Sequence, residues 1–282
     1  MPSLAESPPR AEQQTSLPFQ PVVALQVERH RGGQTAPATD RIAEEVAVCL
    51  AYNGVAHSVM MTTPADLEEF ALGFSLTEGI VGRADELRDI QVTPHPEGIV
   101  VSMSIPPERA ERLSGRERNI VGRTGCGLCG VRELADAVRL PANVGTGVCV
   151  PGVALADALR GITTGQRLNA QTGAHHAAAW ADASGKIGHV YEDVGRHNAL
   201  DKLVGKLSNM KVDTGSGFAV ITSRASYEMV LKAATAGITL LAAVSAPTAL
   251  AVRLARTTGL TLAGFVRGDD YVIYAHPQRI QS

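Results

Sequence analysis

The spacing of apolar residues changes character along the chain. Up to about residue 105 it runs in short β-like stretches: Val22–Val27, Ala43–Tyr52, Val55–Met61, Ile90–Thr93 and Ile99–Ile105. Asn53-Gly54 separates the second from the third. Both residues tolerate positive φ, which suits a type I′ hairpin turn, and Thr63-Pro64 ends that hairpin. One helical period interrupts the strands. Asp66 opens it, Leu67, Phe70, Ala71 and Phe74 share a face, and Glu78-Gly79 marks its stop. The pattern predicts a small α+β module over residues 19–107. A tail rich in Pro, Gln and Ser, residues 1–18, precedes it and lacks the apolar content to fold.

Glu108 to Arg118 carries seven charges in eleven positions and reads as an exposed connection. Together with the glycine-laced segment after Val121 it makes residues 108–130 a linker and loop. Val131–Arg139 then reads as a helix with Val131, Leu134 and Val138 on one face. From about residue 170 the rhythm becomes strand, helix, strand. Strands are expected at His176–Ala181, Ile187–Glu192, Phe218–Thr222, Ile238–Val244, Leu262–Val266 and Tyr271–Ala275. Helices are expected at Asn198–Leu207, Tyr227–Ala236 and Pro247–Thr257. Such alternation predicts an α/β domain over 131–282, a mostly parallel sheet with helices on both faces.

Composition narrows the function. The 282 residues are 45% hydrophobic and 19% charged, with net charge −2, which excludes a disordered chain and a broad basic surface for nucleic acid. Only 4% are aromatic, too few for base-stacking platforms. Residues Ala233–Val252 carry no charge, but Gly237, Ser245 and Pro247 break them into a buried strand and helix, so no membrane span is expected. No secretory leader is evident, and four cysteines are too few for a secreted disulfide scaffold, which points to the reducing cytoplasm.

Candidate chemistry begins at Gly125-Cys126-Gly127-Leu128-Cys129-Gly130. Three glycines leave both sulfurs unshielded, and Cys129 stands just before the expected helix, where free N–H groups favour a thiolate. Lowering a thiol pKa by two units takes about 2.7 kcal/mol. A helix terminus supplies about 0.3–2 kcal/mol, so Arg123 or Arg132 must contribute. Three readings stay open. A zinc site would need two further ligands; no second cysteine pair exists, though His175-His176 could in principle contribute. A dithiol–disulfide oxidoreductase and a persulfide-bearing nucleophile fit the spacing equally well. Cys49 and Cys149 read as small buried hydrophobes.

The stretch Arg123–Gly130 resembles the cysteine loop of the FdhD family of formate dehydrogenase accessory sulfurtransferases. Further stretches are similar to the same family: Asn53-Gly54 through Pro64, Leu72–Gly79, Glu192–Lys202, Ser223–Met229, Ser245–Thr248 and Gly264–Gly268. The likeness runs from about residue 20 to the C-terminus. It implies a cytidine-deaminase-like α/β fold, a mixed sheet with helices on both faces, and a homodimer. It also implies an activity: Cys126 accepts sulfur from a cysteine desulfurase as a persulfide, with Cys129 assisting or resolving. The sulfur goes to bis-molybdopterin guanine dinucleotide before that cofactor enters formate dehydrogenase. By the same resemblance Phe265, Val266, Arg267, Gly268, Asp269 and Asp270 contact the cofactor. Asp269 and Asp270 depart from the neutral or basic residues of many relatives, which favours backbone contact by Gly268 there. The deaminase chemistry itself is not expected. Zinc deaminases need His-x-Glu at one helix start and Pro-Cys-x-x-Cys at the next. Here those starts read His197-Asn198-Ala199 and Ser223-Arg224-Ala225-Ser226, so no metal is expected.

A ligand with two pyrophosphates needs cations and free N–H groups, which open α/β sheets offer where strands end and helices begin. Arg224 is the candidate phosphate clamp. Ser223, Ser226 and Ser245 are candidate hydroxyl donors, with helix capping as the plainer reading. For Arg224 the plainer reading is a solvated or domain-bridging salt bridge. His197 could orient substrate or shuttle a proton, or simply be a satisfied histidine at a helix start. Lys202 and Lys206 read as a solvated face. Two other function classes stay in view: a cofactor chaperone without sulfur chemistry, and a zinc-dependent nucleotide hydrolase.

Overall fold

A computed structural model of the chain describes residues 17–117 and 139–281. It begins with a two-stranded ribbon, β1 (Val22–Arg31) and β2 (Gln34–Ala43), turned by Gly32 and Gly33 at φ 58° and 83°. Only the first half of this ribbon was expected. Next come β3 (Val46–Tyr52), β4 (Val55–Thr62), β5 (Arg88–His95) and β6 (Gly98–Ser104), which form a four-stranded sheet of order β4-β3-β6-β5. The Asn53-Gly54 turn has φ 49° and 82°, as a type I′ turn requires. Helix α1 (Leu67–Thr77) packs Leu67, Phe70, Ala71 and Phe74 on this sheet, and Gly79 follows it at φ 69°.

Within Glu108–Arg118, expected as a linker or exposed connection, the chain forms helix α2 (Pro107–Glu117). Its dense charge hides the period from an apolar-stripe reading: Leu113, 7% exposed, anchors it with the half-buried Ala110. After the undescribed stretch come the short β7 (Val150–Pro151), then α3 (Gly152–Gly165) and α4 (Asn169–Thr172). The remaining elements are β8 (His176–Asp182), β9 (Ile187–Asp193), α5 (Arg196–Asn209), β10 (Gly217–Ile221), α6 (Tyr227–Thr235), β11 (Leu240–Ala243), α7 (Ala249–Thr258), β12 (Thr261–Arg267), β13 (Asp270–Ala275) and β14 (Ile280–Gln281).

The second sheet has order β13-β12-β11-β10-β8-β9. The expectation of a mostly parallel sheet is corrected. β10-β11 and β11-β12 are parallel, whereas β12-β13, β10-β8 and β8-β9 are antiparallel. The reason is that β8 and β9 join through a tight Ser184-Gly185 turn, with Gly185 at φ 87°, and a hairpin cannot be parallel. The mixed α/β sheet with helices on both faces is present. Alternating residues of each strand feed two cores. Ala178, Ala219, Ile221 and Leu241 face α5, α6 and α7, while Ala177, Ala179, Phe218 and Val220 face α3. Alanines along β8 keep its surface low, so helices approach closely.

Helices α1 and α5 join the two sheets, and they touch backbone to backbone. A Cβ at Gly73 would stand 2.5 Å from the Asp201 carbonyl carbon and 2.9 Å from the Gly205 nitrogen. A Cβ at Gly205 would stand 2.8 Å from the Glu69 carbonyl carbon. Only glycine admits this approach. Among the described residues, no helix is long and apolar enough to cross a membrane.

Candidate functional site

Connections leaving the second sheet gather at one end of it. Val244 N donates to Ile221 O at 3.0 Å, Ala225 N to Ala246 O at 3.2 Å and Thr248 N to Ala225 O at 3.1 Å. Phe265 N reaches Ser245 O at 3.3 Å. Ser223, Arg224, Ser226, Ser245 and Phe265 therefore belong to one rim, where the parallel strands β10, β11 and β12 end.

Their side chains are placed differently. Arg224 is exposed, with no salt bridge to another described residue. Ser223 is 5% exposed and donates to the carbonyl of Arg224. Ser226 occupies the N-cap of α6 without capping it, and its Oγ is buried with no partner among the described residues. Capping therefore does not account for Ser226, whereas Thr248 does cap α7, accepting from Ala251 N at 3.3 Å. Phe265 is 40% exposed and holds φ 53° beside a register shift in the β12–β13 ladder. A bulky residue in the left-handed region is strained by about 1–2 kcal/mol. Val266 is fully buried in the α3-side core, so it turns only backbone toward the rim. Arg267, Gly268, Asp269 and Asp270 form the exposed tip of the β12–β13 turn, with Gly268 at φ 55°.

The adjoining β9–α5 turn is built by Asp193, which is fully buried. Its Oδ1 accepts from Gly195 N at 2.8 Å and Asn198 Nδ2 at 3.0 Å, and its Oδ2 accepts from Thr63 N at 3.1 Å. Lys202 Nζ lies 2.7 Å from Oδ2. Lys202 is thus not on a solvated face, as its sequence spacing suggested. It is fully buried and also donates to Thr63 O and Glu192 O, so all three ammonium hydrogens are used. A second buried lysine lies one helix away. Lys232 donates to both Asp201 oxygens, at 3.0 and 2.9 Å, to Glu78 and to Thr77 Oγ1. Burial works against its charge, but the carboxylates of Asp201 and Glu78 outweigh that and hold the ammonium above the ordinary lysine range.

The turn delivers Arg196 and His197 to the rim. His197 is 8% exposed, and its Nε2 stands 2.7 Å from Glu228 Oε2 in the first turn of α6. His176 opens β8 on the same side. Burial, then the charges of Arg196 and His197, lower its pKa. His175 is buried with Nδ1 2.8 Å from Thr172 Oγ1, and burial lowers its pKa too. Cys49 is half-buried, and burial pushes its thiol up. Cys149, expected buried, is exposed, because β7 pairs with β14 only from Val150 onward and leaves it at the margin. Cys126, Cys129 and most of the helix expected at Val131–Arg139 lie outside the described residues. Sequence reasoning missed Arg196, Glu228 and Asp193 as site builders. The available signal was that Gly195-Arg196-His197 and Ser226-Tyr227-Glu228 each open a helix on the same side of one sheet.

The FdhD/NarQ family model matches residues 43–281. Sulfur carrier protein FdhD of Xanthomonas euvesicatoria pv. vesicatoria is 55% identical over 258 residues, covering 92% of each chain. The protein of that name from Bordetella petrii is 53% identical over 255 residues, 90% of this chain and 92% of its own. A crystal structure of a candidate formate dehydrogenase accessory protein from Desulfotalea psychrophila superposes with TM-score 0.72 at 25% identity, covering 93% of this chain and all of that one. The match spans both sheets and every connection of the rim, and the chain belongs to the FdhD/NarQ family.

Proposed function

We propose that this protein is a sulfur carrier serving formate dehydrogenase, with Cys126 as the persulfide site. The observation that carries the reading is family membership along nearly the whole chain, joined to a Cys126-x-x-Cys129 sequence flanked by Gly125, Gly127 and Gly130. In the first step the Cys126 thiolate attacks the outer sulfur of a desulfurase persulfide, and the donor thiolate leaves. In the second the outer sulfur passes as sulfide to the molybdenum of bis-molybdopterin guanine dinucleotide. Cys129 closes a disulfide with Cys126 and so supplies the two electrons. The two thiol protons leave with a displaced oxygen ligand as water, and a cellular thiol reopens the disulfide.

The rim suits such a dinucleotide cargo. The guanidinium of Arg224, the Oγ of Ser226, unpartnered among the described residues, and the uncapped start of α6 offer donors for phosphate oxygens. Ser223 and Ser245 stand beside them. Phe265 presents an exposed ring, and Gly268 with its neighbours Arg267, Asp269 and Asp270 an open backbone. Cytoplasmic location and a homodimeric state complete the proposal.

The test is intact-mass analysis after incubation with a desulfurase and cysteine. Wild type should gain the mass of one sulfur atom, and Cys126→Ala should not. Equal gain by the variant refutes the assignment. If Cys126→Ala still supports formate dehydrogenase activity in cells while Arg224→Ala does not, the protein is a cofactor chaperone instead.

A further inference from the structure

Buried polar atoms nearly always find partners, so several exceptions at one place call for a ligand. Among the described residues, six buried side-chain atoms lack a hydrogen-bond partner. Three of them, Arg196 Nε, His197 Nε2 and Ser226 Oγ, belong to the starts of α5 and α6. Neither helix start is capped by a side chain. Glu228 joins the two starts. Its Oε2 stands 2.7 Å from His197 Nε2, an ion-pair distance not aligned as a hydrogen bond. Its other oxygen, Oε1, has no hydrogen-bond partner among the described residues. The Glu228 side chain is 18% exposed, so a ligand on the rim can reach it. A first-turn carboxylate suits the helix dipole, and the pair could brace two helices. Either role would be met by an aligned bond, and both leave Oε1 idle.

Position narrows the ligand chemistry. Glu228 lies two residues past Ser226 and four past Arg224, the groups that offer donors to phosphate. Two helical positions advance about 3 Å along the axis. An acidic group this near a phosphate repels it, unless the ligand also brings neutral donors for the carboxylate to accept. In a nucleotide the sugar is joined to the phosphate directly, and its hydroxyls are such donors; the base lies farther out. Dinucleotide-binding sheets of another topology pair a helix start for phosphate with a carboxylate for ribose in the same way.

We infer that Glu228 is a specificity-determining residue of the rim, accepting ribose hydroxyls on Oε1, with His197 as its positioning residue. The inference rests on the dinucleotide-cargo reading above. His197 engages Oε2 and leaves Oε1 for the sugar. Arg196 Nε and Ser226 Oγ remain as donors for the phosphate oxygens of the same ligand. The rim thereby selects ribonucleotides over their deoxy counterparts.

The experiment is calorimetric titration of the full-length protein with GDP and with 2′,3′-dideoxy-GDP. Wild type should bind GDP about 30-fold more tightly, the worth of a hydrogen bond to a charged group. Glu228→Gln should bind the two within about threefold of each other and keep the wild-type affinity for the dideoxy analogue. His197→Gln should keep a preference of about fivefold, because the carboxylate remains but is no longer held. A role in packing alone would weaken both nucleotides equally and leave the ratio unchanged. Equal binding of the two by wild type overturns the inference while leaving the dinucleotide reading intact. So does a Glu228→Gln that keeps the full preference. An unchanged ratio in His197→Gln removes His197 as the positioning residue. A wild type that binds neither nucleotide overturns the dinucleotide reading of the rim, and this inference with it.

Discussion

Replacing Gly73 by alanine tests the contact on which the whole arrangement turns. The new methyl would sit 2.5 Å from the Asp201 carbonyl carbon. Ordinary carbon contacts are about 3.5–4.0 Å, so α1 and α5 must part by roughly 1 Å. Overpacking of this kind costs about 1–3 kcal/mol. The same movement stretches Thr77 Oγ1 to Asp201 Oδ1, now 2.7 Å, and strains the Lys232 pair, whose outright loss would approach about 3–5 kcal/mol. Alanine's better helix propensity returns about 1 kcal/mol. A net destabilisation of about 3 kcal/mol is expected, and at this chain size it lowers the melting midpoint by about 6–12 °C. Thermal unfolding followed by circular dichroism reads it. Gly188→Ala is the control: Gly188 is exposed on β9, and an added Cβ would meet nothing nearer than Trp180 O at 4.0 Å. That variant should stay within about 0.5 kcal/mol of wild type. If Gly73→Ala melts at or above the wild-type midpoint, the helices do not meet at backbone distance.

Two other outcomes follow from the same geometry. Burial pushes the Glu78 carboxyl up, but Lys232 at 3.1 Å and Arg139 at 2.8 Å outweigh it and hold the pKa at about 2, below its ordinary 4.5. Its contribution to stability is thus complete above pH 4.5 and lost as pH falls toward 2. Glu78→Gln should be less stable at neutral pH and lose stability less steeply across that window; parallel denaturation curves would contradict this. At the rim, Phe265→Gly should be more stable than Phe265→Ala by about 1 kcal/mol, since only glycine relaxes at φ 53°, and urea midpoints compare them directly. Equal midpoints would mean the backbone there is unstrained.

Local chemistry explains which parts were readable from sequence. Asn53-Gly54, Gly79 and Ser184-Gly185 declare their turns because few other residues tolerate those φ values. Most strands and helices of the second sheet announce themselves by period. The hidden elements are those whose period is masked. The apolar positions of α3, Ala154, Leu155, Ala158 and Ile162, are small or interspersed with Gly and Thr. Helix α2 carries charge at six of its eleven positions. The Gly32-Gly33 turn was a fair hairpin signal that the exposed ribbon around it concealed. Within the site, Ser223, Arg224 and Ser245 follow from strand ends, a topological rule that needs no contacts, whereas Phe265 came only from the family resemblance. Lys202 does not, because what buries it is a carboxylate nine positions back and a carbonyl at Thr63, about 140 positions away along the chain. No window along the sequence contains both.

The turn carrying His197 takes its shape partly from Thr63 and Met61: Thr63 N binds Asp193, Val194 N binds Thr63 Oγ1, and Asn198 Nδ2 binds Met61 O. The end of β4 is therefore part of the rim's own foundation. Recombination that swapped the first sheet between distant relatives would have to carry the matching turn along, so these two stretches are bound to be inherited as a unit. A chimera made by cutting between them would keep every residue of the rim and still lose its shape.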